Sequence, residues 1–158
     1  MPDGYNFLFH PARVVPMLSK KSKYAIKALL ALAEDTSEEP VRISDLARQE
    51  QIPPKFLEAI LLSLRNAGLL QSRKGKGGGY RLARDPRQIT LGQVVRLFDG
   101  PLAPVPCASQ TGYVACEDCE DEATCGVRLA MKEVRDATAR ILDHTSIATL
   151  VRRQRRAG

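Results

Sequence analysis

The four cysteines of this chain, Cys107, Cys116, Cys119 and Cys125, are all it has, and they fall in one segment with the spacing C-x8-C-x2-C-x5-C. Around them stand Gly112, Glu117, Asp118, Glu120, Asp121 and Gly126, residues of loops and turns rather than of a core. Such a segment has few uses: paired disulfides, a metal or cluster site, or a thiol switch. Residues 1–16 do not read as a secretory signal. Asp3 comes early, no long apolar run follows, and no small-residue cleavage site is present. Clustered cysteines in a chain that is not exported more often bind metal or sense redox state, so a cytoplasmic location is expected.

What flanks the segment narrows the choice further. No apolar run approaches the roughly 18 residues of a membrane helix, and no membrane partner is expected. The formal net charge of +6 in 158 residues favours an acidic partner, with nucleic acid the first candidate. Residues 1–16, with Pro2, Gly4, Pro11 and Pro16, read as a disordered or loosely docked extension. A regular pattern begins at Met17.

From Ser19 to Asp35, Tyr24, Ala25, Ala28, Leu29, Leu32 and Ala33 recur at helical spacing. Lys20, Lys21, Lys23 and Lys27 lie near the start, where the helix dipole favours anions. They serve either an external phosphate or a solvated face. Ser44 is a natural N-cap and Asp45 suits a first turn, which predicts a short helix. Gln51-Ile52 makes a turn, and Pro53-Pro54 opens a longer helix with Phe56, Leu57, Ile60, Leu61 and Leu64 inward and Gly68 as its stop. Two helices joined in this way are a helix-turn-helix.

Leu69–Arg73 and Tyr80–Ala83 are strand candidates around Lys74-Gly75-Lys76-Gly77-Gly78-Gly79, which predicts a hairpin wing whose glycines let the backbone approach another chain. A nucleotide-binding loop would end in Gly-Lys-Ser/Thr before a helix; this run ends in Gly-Tyr before a strand. Thr90 caps a helix over Leu91–Phe98, and a proline-rich linker runs from Gly100-Pro101 to Pro106. From Gly126 to His144, Val127, Ala130, Met131, Val134, Ala137, Ile141 and Leu142 form a long stripe, which either packs on its own domain or pairs two chains. Thr145–Val151 adds a short helix, and 152–158 is a basic, frayed tail.

The motifs Ser19-Lys20-Lys21-Ser22-Lys23-Tyr24-Ala25, Phe56-Leu57-Glu58, Leu64-Arg65-Asn66-Ala67-Gly68-Leu69 and Gly77-Gly78-Gly79-Tyr80-Arg81-Leu82-Ala83 together resemble the Rrf family of bacterial winged-helix regulators, with its IscR-like, NsrR-like and CymR-like members. The likeness covers Met17 to Val151. It implies a mainly α fold with a small β-hairpin wing, a winged helix-turn-helix followed by a long C-terminal dimerisation helix. The organisation expected is an extension at 1–16, a DNA-binding domain at 17–99, a cysteine-containing sensor loop at 100–125, a dimerisation helix at 126–151 and the tail at 152–158.

The same resemblance implies a homodimer on a double-stranded operator, with recognition helices in major grooves and wings in minor grooves. Lys55 and Glu58 match recognition-helix positions, and a glutamate accepts from cytosine N4. Ala59 stands where IscR-like members have glutamine. Lys74 stands at a wing arginine, and keeps its charge without the planar fork. Arg65 is a phosphate contact or a salt-bridge partner. Lys20, Lys23, Tyr24, Lys76, Gly77, Gly78, Gly79 and Tyr80 complete the expected DNA surface.

IscR-like members hold a cluster with three cysteines and a histidine. Cys119-x5-Cys125 resembles the last two of those cysteines, which puts Arg128 at the histidine position, and arginine cannot ligate. Neither His10 nor His144 replaces it. Lys23 stands where NsrR-like members offer a partner-chain aspartate. Four thiolates nevertheless complete a ligand set for a 2Fe–2S or 4Fe–4S cluster, so Cys107, Cys116, Cys119 and Cys125 are the expected metal ligands, with Cys107 or Cys116 at the first family position. Zinc is an alternative, although its paired CxxC spacing is absent, and so is no metal at all.

The expected function is therefore a transcriptional repressor, not an enzyme, that senses cluster status, redox state or nitric oxide. The alternatives are a cluster-free CymR-like regulator of sulfur metabolism that also binds a metabolic enzyme, a thiol redox switch, and a zinc-binding regulator. A thiol oxidoreductase has only Cys116-x2-Cys119 in its favour and lacks a surrounding βαβ pattern.

Overall fold

The computed structural model describes residues 17–37 and 39–158; the extension expected at 1–16 lies outside the described residues. Helix α1 (Lys20–Glu34) begins where Ser19 accepts a hydrogen bond from the Ser22 N–H at 3.1 Å. It buries Ala25, Ala28, Leu29 and Leu32. Helix α2 (Ile43–Glu50) and α3 (Pro54–Asn66) are joined through Gln51, whose φ of 55° makes the tight turn. The expected Ser44 cap of α2 is corrected here. Arg42 is the N-cap, without a side-chain bond, because its carbonyl already accepts from the N–H groups of Asp45 and Leu46, and that places Ser44 inside the first turn.

Leu57, Ile60, Leu61 and Leu64 of α3 are fully buried against α1; truncating any of them to alanine costs about 2–5 kcal/mol. Gly68, at φ 70°, ends the helix and hands the chain to strand β1 (Leu70–Arg73), which pairs antiparallel with β2 (Gly79–Leu82) in the register Leu70↔Leu82 to Arg73↔Gly79. Val41 adds a single bridge to this hairpin. Its N–H donates to the Tyr80 carbonyl at 2.9 Å, and the Tyr80 N–H returns the bond at 2.8 Å.

Helix α4 (Leu91–Asp99) starts in a capping box, with Thr90 and Gln93 satisfying each other's backbone. At its far end Asp99 accepts from the Ser22 hydroxyl at 2.7 Å and from the Ser19 N–H at 3.1 Å, pinning α4 to the start of α1. A short 3-10 turn at Pro106–Ala108 follows, and then the cysteine loop.

One boundary near the C-terminus needs correcting. The segment expected at 126–151 holds helix α5 (Gly126–Asp143) and then the expected second short helix, but that helix, α6 (Ile147–Ala157), runs on through most of the basic tail expected to fray at 152–158. Helix α6 folds back onto α1. Ile147 is wholly buried in the same core as Leu29, its N–H donates to the Ile89 carbonyl, and Arg155 approaches Glu34 at 3.9 Å. No residue of α5 is buried. Arg96 joins α5 to α4 by a forked pair with Asp143, at 2.6 and 2.9 Å. No helix among the described residues is long and apolar enough to cross a membrane.

Candidate functional site

Burying one stripe of α3 leaves Lys55, Glu58, Ala59 and Leu62 facing outward. The outward spacing of these positions follows from the helical repeat. Leu62 is 42% exposed, a large apolar group beside Lys55 and Glu58 that the sequence does not single out. Between the start of α2, the end of α3 and the wing lies an open groove of about 460 Å³. Its lining includes Arg42, Arg65, Arg73, Lys74, Gly75 and Gly78. Four cationic side chains thus converge on one channel, and Arg42 and Arg73 were not among the expected contacts. Their signal was weak in sequence because each looks like an ordinary strand-edge charge. Arg65 bonds the Ser72 hydroxyl at 3.5 Å, so it reaches the wing as well as the groove.

Lys20, Lys23, Lys74 and Lys76 are exposed, as an external contact requires. Lys27 is not free for one: its ammonium donates to the Glu50 carbonyl at 2.6 Å and pairs with the Glu50 carboxylate at 3.3 Å, holding the end of α2. Tyr24 is half-buried, edge-on to Phe56 with ring centroids 5.7 Å apart. Tyr80 is corrected more strongly. It is buried, with both backbone groups committed to Val41, so it anchors the wing from inside. Two of the three consecutive glycines also answer to the interior. A Cβ at Gly79 would run into the backbone of Val41, and one at Gly78 into the Arg73 carbonyl. Gly77 has open space around it but a φ of 77°.

All four cysteines line one cavity of about 470 Å³, together with Val105, Pro106, Val114, Ala115, Asp118, Val127 and Arg128. Cys125 is the N-cap residue of α5. The backbone N–H of Arg128, then the Cys119 thiol, then the Val127 N–H hold the Cys125 thiol below the usual thiol range. Burial, followed by the hydrogen bond to Cys125, pushes Cys119 the other way. The two thiols are thus shifted in opposite directions, Cys125 down and Cys119 up.

Arg128, at the position where the resemblance would put a histidine, braces the loop. It donates from Nε to the Cys107 carbonyl at 3.0 Å and from Nη1 to the Glu122 carbonyl at 3.4 Å. The Tyr113 hydroxyl donates to the Glu122 carboxylate at 2.5 Å, a bond that raises the tyrosine above its usual range.

As a donor set, four thiols around one apolar-walled cavity suit an iron–sulfur cluster, which takes four thiolates. Among the described residues no three His, Cys, Asp or Glu side chains converge closely enough to grip one metal ion.

The Rrf2 family model, described as an iron-dependent transcriptional regulator, matches residues 18–153. An rrf2-like HTH-type transcriptional regulator of Rhodobacter capsulatus is 45% identical over 121 residues, 75% of this chain and 81% of that one. The structure of CymR, the global cysteine regulator of B. subtilis, superposes with a TM-score of 0.68 at 31% identity, over 85% of this chain and 95% of that one. The structure of T. potens IscR superposes with a TM-score of 0.69 at 26% identity, over 89% of each chain.

Proposed function

The chain belongs to the Rrf2 family of DNA-binding transcriptional regulators, and from that premise we propose that it is a cytoplasmic repressor whose operator affinity is set by an iron–sulfur cluster in its cysteine loop. The observation that carries the reading is the single cavity onto which Cys107, Cys116, Cys119 and Cys125 all open. These four residues would hold the cluster. When bound, it supplies a group that responds to oxidants, nitric oxide or iron shortage at a site otherwise made of inert loop. The iron-dependent description of the family model supports the same reading.

The chain's own residues do the rest. The outer face of α3, with Lys55 and Glu58, reads bases, while Lys20, Lys23, Arg65, Lys74 and Lys76 neutralise phosphates. Helix α5 leaves Val127 68%, Ile141 63% and Val134 45% exposed along one stripe, an apolar face that a second copy would cover, making a homodimer with two reading heads. The loop at 100–125 joins α4, which is pinned to α1 by Asp99, to α5. A change at the thiols therefore acts between the reading head and the pairing helix. A bias of a few kcal/mol between two such arrangements is enough to switch occupancy.

Anaerobic purification with iron and sulfide assays, absorption spectra and operator binding tests the proposal. Iron and sulfide should co-purify, and Cys119→Ser with Cys125→Ser should abolish both the metal content and the regulated change in DNA affinity. Intact metal and intact regulation in that double variant would sink it. One observation favours a second reading, a metal-free thiol switch: all four cysteines are free thiols on one cavity, with Cys125 lowered and Cys119 raised from the usual thiol range. Colourless anaerobic protein whose DNA affinity still responds to oxidant would select it.

A further inference from the structure

We infer that Arg128 is the positioning residue of the cysteine pocket: it fixes Cys107 and, together with Arg135, ties the pocket to α5. This rests on reading the pocket as the regulated site, and it names the part that carries the signal out. The Arg128 side chain is only 19% exposed. Its guanidinium donates to the carbonyl of Cys107 on one arm of the loop and to that of Glu122 on the other, and it faces the Glu122 carboxylate at 3.5 Å. Cys116 and Cys119 lie in the sequence between those two arms. One planar fork therefore staples the loop shut across its thiols, a span that the point charge of a lysine does not reproduce.

Arg135 lies two turns further along α5, on the same face. Its Nη1 donates to the Ala108 carbonyl at 2.5 Å, its side chain is only 11% exposed, and Asp136 pairs with it at 2.6 Å. Successive carbonyls of the turn at Pro106–Ala108, those of Cys107 and Ala108, thus hang from two arginines of one helix. An ordinary surface arginine bonds water and samples many rotamers; these two are withdrawn from water and aimed at adjacent acceptors of one turn. Cys107 accordingly moves with α5. Engaging or releasing its thiol pulls on the first three turns of the helix that carries Val127 and Val134. The family's histidine position is used here for a brace.

The test uses the full chain, reduced and metal-free, with iodoacetamide as the probe and the alkylation rate of each cysteine read by mass spectrometry. Arg128→Gln is expected to raise the rate at Cys107 by roughly tenfold, the scale of one lost charge-assisted hydrogen bond. The exposed Cys116 should be unchanged. Arg135→Gln should give a smaller rise at Cys107. A Cys107-to-Cys116 rate ratio in Arg128→Gln that stays at the wild-type value overturns the inference. If that variant loses its helical circular dichroism, Arg128→Lys decides: faster Cys107 alkylation in a folded protein supports the brace, and an unchanged rate refutes it. Iron uptake by the wild type is measured in parallel. A wild type that takes up no iron refutes the cluster reading, while the alkylation ratio still decides the role of Arg128.

Discussion

Replacing Gly79 by alanine separates two explanations of the glycine run in the wing. A Cβ there meets only backbone atoms, the Val41 carbonyl and the Arg42 nitrogen, so no side chain can swing aside. The strand must move off Val41, and the two bonds between Val41 and Tyr80 go with it. At about 0.5–1.5 kcal/mol per bond, with about 1–3 kcal/mol of overpacking, the loss is about 4 kcal/mol. For a chain of this length that lowers Tm by roughly 8–16 °C. At Gly77 the added Cβ has open space and the cost is only the left-handed backbone, about 1–2 kcal/mol. Thermal unfolding followed by circular dichroism should therefore rank Gly79→Ala well below Gly77→Ala. In operator binding the order should reverse at temperatures where both are folded, since Gly77 is at the open tip. If Gly77→Ala is the more destabilising, or if Gly79→Ala leaves Tm unchanged, the internal role assigned to Gly79 is wrong.

Three further outcomes are expected. Burial alone would raise the Asp99 carboxyl, but the hydrogen bonds from Ser19 and Ser22 outweigh it and hold the group below its ordinary range. Its stabilisation is thus present above about pH 4 and is lost as pH falls through the lowered value. Asp99→Asn should cost about 1 kcal/mol at neutral pH and flatten the acid limb of stability measured by denaturant titration. Ile141→Glu combined with Val127→Glu should convert dimer to monomer in analytical ultracentrifugation and leave Tm within a few degrees, because both side chains are exposed within the chain. A double-mutant cycle on Arg96 and Asp143 should give a coupling of about 0.5–1 kcal/mol, since the forked pair is half open to solvent.

Much of the architecture was legible in sequence because it is written in short-range terms. The cap at Thr90, prolines at the start of α3 and an apolar stripe every three to four residues are local signals, and the helices they mark are present. What escaped depends on distant contacts. Tyr80 sits among arginines and glycines and reads as a surface contact until Val41, far away in the chain, pairs with it. Helix α6 carries Arg152, Arg153, Arg155 and Arg156, which mask a buried face made of only Ile147 and Val151. The cysteines were visible as a set, and their common cavity agrees with that grouping. Arg128 was visible only as a residue that could not ligate, because its acceptors are backbone carbonyls, which leave no trace in composition.

The return of α6 to α1 also bears on the order in which the protein is made. Ile147 and Val151 pack in the same core as Ala28, Leu29 and Ile89, so the reading head lacks part of its interior until α6 has been synthesised. Domains at the front of a chain generally fold as they emerge from the ribosome; this one is completed only by α6. A message cut short within the cysteine loop or α5 therefore yields a head with an open apolar face. Prematurely terminated copies are fit for proteolysis and poorly equipped to occupy operators.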